Sequence, residues 1–149
     1  MSFVILFSDA SFSCGKAGLA CIATTDGINV IEVSTKQEDA IDVVYAELLA
    51  IRENIRLANR FCHPGEPVEL ISDCTIAVNL LTSATRIPQS YESLVATILA
   101  DKASLESKTP VSIKWGSRNG NTKADALAVL ASRRHDVTNR NGGRFKFSV

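Results

Sequence analysis

GLACIATTDGINVIEVS, residues 18–34, carries two short apolar runs on either side of Thr25-Asp26-Gly27. An Asp-Gly pair between such runs signals a tight turn, so 18–24 and 28–34 are expected to form an antiparallel hairpin. Upstream, FVILFS (3–8) is a continuous β-branched and aromatic run, the pattern of a central strand buried on both faces. Downstream the period turns helical over about 41–60, where Val44, Leu48, Ile51, Ile55 and Ala58 share one face. After Pro64-Gly65 the chain alternates: a strand at 68–72 (VELIS), a short helix at 75–81 and a helix from Ile87-Pro88 through Leu94, Ile98 and Leu105. A strand at 111–115 (VSIKW) and a last helix at 122–134 complete it. The order β-β-β-α-β-α-α-β-α begins antiparallel and continues in units that favour parallel neighbours. It predicts an α/β fold with a mixed five-stranded sheet and helices on both faces.

At 149 residues and 46% apolar content the chain suits one domain with a proper core. Sixteen acids balance sixteen bases, so any polyanion partner has to be met by locally placed cations. No apolar run reaches the roughly 20 residues of a membrane span, and the N-terminus lacks the basic segment of a signal peptide. A soluble, cytoplasmic protein without a membrane partner is expected. Cys14, Cys21, Cys62 and Cys74 show no CxxC spacing, which favours free thiols in a reducing compartment over zinc or redox chemistry. The oligomeric state stays open, with a monomer the default. Composition changes near Arg134, dividing a 1–134 domain from a basic 135–149 tail, either mobile or a late packing segment.

Four carboxylates stand in odd places. Asp9 closes the first strand run in phase with Phe3, Ile5 and Phe7. Asp73 follows VELIS at the carboxyl end of a buried strand, the edge where such sheets bind ligands. Glu47 lies among Val43, Val44, Ala50 and Ile51 on a helix. Asp125 interrupts the start of NTKADALAVLASRR (121–134), whose Leu127, Ala128 and Leu130 form an apolar stripe. Singly, each has an ordinary explanation: an arginine partner, a helix cap or a turn former. Together they suit a bound hard cation, because converging carboxylates repel one another unless neutralised.

These residues resemble the ribonuclease H family, type 1, over residues 3 to about 134. The resemblance rests on Asp9-Ala10-Ser11, Gly15 to Gly18, Tyr45-Ala46-Glu47-Leu48, Ser72-Asp73 and Asn121-x-x-Ala124-Asp125-x-Leu127-Ala128, together with their order on the elements. It implies a metal-dependent endoribonuclease that hydrolyses the RNA strand of RNA–DNA hybrids to 5′-phosphate and 3′-hydroxyl products. It further implies two Mg²⁺ ions, with Mn²⁺ as a substitute, held by Asp9, Glu47, Asp73 and Asp125. Ser11, Arg118 and Asn121 would bind substrate, and 2′-hydroxyl contacts would select RNA.

The chain departs from the family pattern in three places. The loop before the last acid, GSRNGN, holds no histidine; Arg118 occupies that region. Val43 and Val44 stand where relatives place polar residues that touch the hybrid. TSATRIPQS carries one arginine in place of a basic handle. Two other readings therefore stand beside the nuclease: a catalytically weak or inactive nucleic-acid-binding or scaffolding module, and a phospho-acceptor domain built on a strand-end aspartate. The hairpin at 18–34 argues against the last, since such domains alternate strand and helix from the start.

Overall fold

The computed structural model describes residues 3–25, 28–83, 86–116 and 144–148, with the backbone alone described at 25, 28–36 and 144–148. β1 (Val4–Ser13), β2 (Lys16–Thr25) and β3 (Ile28–Asp39) form an antiparallel meander. Then come α1 (Val43–Phe61), β4 (Val68–Ser72), α2 (Thr75–Thr82), α3 (Gln89–Glu106), β5 (Val111–Trp115) and β6 (Arg144–Ser148). The sheet order is β5-β4-β1-β2-β3-β6. β4 runs parallel to both β1 and β5. The five strands read from the sequence are all present in a mixed sheet. A sixth joins them, because Arg144–Ser148 pair antiparallel with β3.

Two strands are longer than their apolar runs. β1 continues through Ser13 because its second half is zipped onto β2, down to Ser13 opposite Lys16. The two-residue turn between them has Cys14 at φ 50° and Gly15 at φ 75°. Two positive φ values give a hairpin turn whose twist matches that of the strands, and glycine takes such a value without steric cost. β3 likewise extends to Asp39 opposite Lys16, and the two side chains form an ion pair there.

α1 lies on the sheet because its face is apolar where the meander and β4 are apolar. Leu48, Ile51, Ile55 and Leu57 are buried with Leu6, Leu19 and Leu70 of the strands and Ile98 of α3. Each such side chain contributes about 1.5–3 kcal/mol on leaving water. α1, α2 and α3 touch one another on the same side of the sheet. The helix expected over 122–134, for the opposite face, lies outside the described residues, as do the Thr25-Asp26-Gly27 turn's last two residues.

Candidate metal centre

The parallel register of β1 and β4 sets Ser8 opposite Ser72. One residue further along, the two chains present Asp9 and Asp73, so the strand pairing alone makes these acids neighbours. The seryl side chains before them are almost fully buried, at 0% and 1% exposure, which sets both strands against the core at this point. Past Ser72 the chain bends sharply: the Cys74 N–H donates to Ser72 Oγ at 3.1 Å, and α2 begins at Thr75.

The third acid arrives from α1. Asp42 caps that helix, accepting the Tyr45 N–H on Oδ1 at 2.8 Å, and its Oδ2 accepts the Tyr91 hydroxyl of α3 at 2.6 Å. The start of α1 is thereby tied to α3, and Glu47 projects from the second turn. Asp9, Glu47 and Asp73 each bring a carboxylate oxygen to within 4.8 Å of the other two. No other cluster of three potential metal ligands occurs among the described residues.

Asp9 is 1% exposed and Glu47 6%, a degree of burial that ionised carboxyls tolerate only when compensated. Burial pushes the Glu47 carboxyl up to about 9, and the charges of Asp9 and then Asp73 push the same way. A hydrogen bond shared with Asp9 adds to the rise, while one from the Ala10 backbone opposes it. Glu47 Oε1 is buried without a hydrogen-bond partner among the described residues. Three crowded oxygen donors, one of them with a buried unmatched oxygen, fit a hard divalent cation.

Of the residues expected at the site, the structure brings Asp9, Glu47 and Asp73 together. Ser11 is on β1 two residues beyond Asp9, hence on the same strand face, partly buried and opposite Gly18. Arg118, Asn121 and Asp125 lie outside the described residues. Val43 is 56% exposed and faces solvent; Val44 is half-buried.

Sequence reading missed Trp115. It closes β5 opposite Ser72, and its Nε1 donates to the Asp73 carbonyl at 3.1 Å. Its position at the carboxyl end of a strand beside the third acid was the available signal. The next residue is Gly116 for a steric reason, since a Cβ there would collide with Ile71 Cγ2.

Several described cations are engaged in ion pairs. Lys16, Arg52, Arg56, Lys102 and Lys114 each pair with an acid, most firmly Arg52, which donates to both oxygens of Glu38 at 2.7 and 2.8 Å. No helix among the described residues is long and apolar enough to cross a membrane.

The reverse transcriptase-like family model matches residues 7–131. A comparison with curated proteins finds no match. Among solved structures, the chain is similar to RNase H1 from the halophilic archaeon Halobacterium salinarum, with a TM-score of 0.72 at 19% identity. That superposition covers 86% of this chain and 96% of the other. LC11-RNase H1 in complex with an RNA/DNA hybrid gives a TM-score of 0.78 at 17% identity, covering 87% and 96%. The N-terminal RNase H domain of a Mycobacterium tuberculosis protein gives 0.70 at 17% identity, covering 87% and 98%.

Proposed function

The chain belongs to the reverse transcriptase-like family of ribonuclease H proteins, and from that premise we propose that it is a metal-dependent endoribonuclease acting on the RNA strand of RNA–DNA hybrids. The products are a 5′-phosphate and a 3′-hydroxyl. The observation that carries this reading is the meeting of Asp9, Glu47 and Asp73 oxygens within 4.8 Å. They come from the middle of β1, the end of the adjacent β4 and one helix of a ribonuclease H-like fold. An antiparallel meander opens that fold, which disfavours the phospho-acceptor alternative.

Asp9, Glu47 and Asp73, with Asp125 as the fourth, would hold two Mg²⁺ ions, or Mn²⁺ in their place. When bound, these ions supply the positive charge that acidifies an attacking water and stabilises the leaving 3′-oxygen. The protein's own part is to keep the carboxyls in place before substrate arrives. Burial of Ser8 and Ser72, the Asp42 cap and the Trp115 bond to the Asp73 carbonyl all limit their movement. Fixed groups of this kind need no reorganisation as charge develops. Ser11 and Asn121 are assigned contacts to the RNA strand, whose 2′-hydroxyl distinguishes it from DNA. Arg118 is assigned to the phosphate that is cut. The four cysteines are free thiols, which supports a reducing compartment such as the cytoplasm.

The zero net charge and the exposed Val43 favour one second reading, a nucleic-acid-binding or scaffolding module of low or absent activity. Chelation separates the two. Hydrolysis of a hybrid in Mg²⁺ should stop in EDTA and return when Mg²⁺ is restored; activity that persists in EDTA would end the metal reading. In the same assay Arg118→Ala should lower turnover about tenfold to a hundredfold, the scale of one electrostatic or general-acid group. An unchanged rate would make Arg118 a solvated loop residue.

A further inference from the structure

The chain has a single tryptophan, and it stands beside the third acid. Trp115 is 55% exposed, among the most exposed large apolar side chains of the described residues. A lone exposed aromatic on a short edge strand is ordinary and by itself means little. This one differs in how it is held. Its only polar atom, Nε1, is satisfied by the Asp73 carbonyl at 3.1 Å, so the part left to solvent is carbon. Its backbone is held to β4 at two successive residues: Trp115 pairs with Ser72, and the Gly116 N–H continues the ladder to the Ser72 carbonyl at 2.9 Å. Gly116 also passes too close to Ile71 to bear a side chain. An aromatic ring immobilised in advance loses little freedom when something binds against it.

Charge points the same way. The chain carries no net charge, and the described cations named above are paired with acids. A chain without net positive charge gains from a further source of affinity for nucleic acid. Base–aromatic stacking is one that requires no charge and tolerates any sequence.

We propose that Trp115 is a stacking platform for a nucleobase beside the carboxylate cluster, so that the preferred substrate offers an unstacked base next to the cut. This rests on the nuclease reading above. Bases inside a continuous duplex are covered by their neighbours, whereas those at a single-stranded overhang or a strand junction are free to stack on a side chain. The favoured hybrid is therefore one with an overhang or junction, and a blunt, fully paired hybrid is the poorer substrate.

Because Trp115 is the sole tryptophan, its fluorescence reports this contact alone. The full chain carrying Asp9→Asn, in which hydrolysis does not blur the signal, is titrated with a hybrid bearing a single-stranded overhang. Anisotropy of a dye on the hybrid follows binding independently. Tryptophan emission should fall by about half with the overhang hybrid and change little when the overhang nucleotides are abasic. Trp115→Ala should weaken binding by about tenfold or more, while Trp115→Phe, which keeps a ring and loses the N–H, should stay within about threefold of the parent. Emission unchanged while anisotropy reports binding would overturn the proposal. So would Trp115→Phe binding as weakly as Trp115→Ala, which would give the indole a purely structural part in holding Asp73. If anisotropy registers no hybrid at all, the nuclease reading falls and takes this one with it.

Discussion

Asp9→Asn and Asp73→Asn, each introduced alone, are expected to cut the rate of hybrid hydrolysis by at least a hundredfold to about a thousandfold. They should leave the fold intact and raise the metal-free melting temperature by a few degrees. Both effects have one cause. Each substitution removes a charge from a cluster whose oxygens lie within 4.8 Å of one another, where burial first and then the charges of Asp9 and Asp73 push Glu47 up to about 9. Relief of about 1 kcal/mol of repulsion corresponds to a rise of roughly 2–8 °C for a domain of this size. The same charge is what would hold the cation, so stability rises while activity is lost. Parallel steady-state kinetics and thermal unfolding in EDTA separate the outcomes. A variant that loses activity and also melts earlier would point to a structural role for that carboxyl.

Asp42→Ala is expected to cost about 2 kcal/mol, combining about 1 for the helix cap and about 1 for the hydrogen bond from Tyr91. Asp42 serves α1 with one oxygen and α3 with the other, at 2.8 and 2.6 Å. Its loss frees the turn that carries Tyr45 and the helix start five residues before Glu47, so activity should fall with stability. Urea unfolding of Asp42→Ala, Tyr91→Phe and the double variant measures the coupling; additive costs would show that the two contacts are independent. The hydrogen bond to Asp42, with burial after it, pushes the Tyr91 phenol up to about 12, above the ordinary value near 10. A raised phenol favours the folded state below pH of about 10, and this contribution is lost as pH rises through about 12. Tyr91→Phe should abolish that alkaline loss, which pH-dependent unfolding would reveal.

The elements legible in the sequence were those with a continuous physical signature. FVILFS and VELIS are apolar enough to read as central strands, and Leu48, Ile51 and Ile55 mark α1 by their period. Their order was sufficient to bring out Asp73 at the end of β4 and Asp9 beside it, although Asp9 lies within the longer β1 and not at its end. The second half of β1 was not legible, because ASFS is small and polar and becomes a strand only through its pairing with β2. The end of β3 was hidden similarly, since TKQED reads as a charged linker until Lys16 is set against Asp39. RFKFS alternates as a strand does, yet the Gly-Gly before it gave it the look of a tail. In the site, Asp9, Glu47 and Asp73 were found by their conflict with apolar surroundings. Trp115 posed no such conflict, because an apolar residue at the end of an apolar strand raises no question. The Asp42–Tyr91 bond joins residues 49 apart, and no local pattern announces it.

The role proposed for the carboxylate cluster is hydrolysis of RNA paired with DNA. It is tested most directly by giving the purified full chain, in Mg²⁺, one labelled RNA in two forms: annealed to complementary DNA and alone. The expected result is cleavage of the annealed RNA to fragments with 5′-phosphate and 3′-hydroxyl ends, with the free RNA spared. Equal cleavage of both forms, or of neither while Mg²⁺ is present, would contradict it.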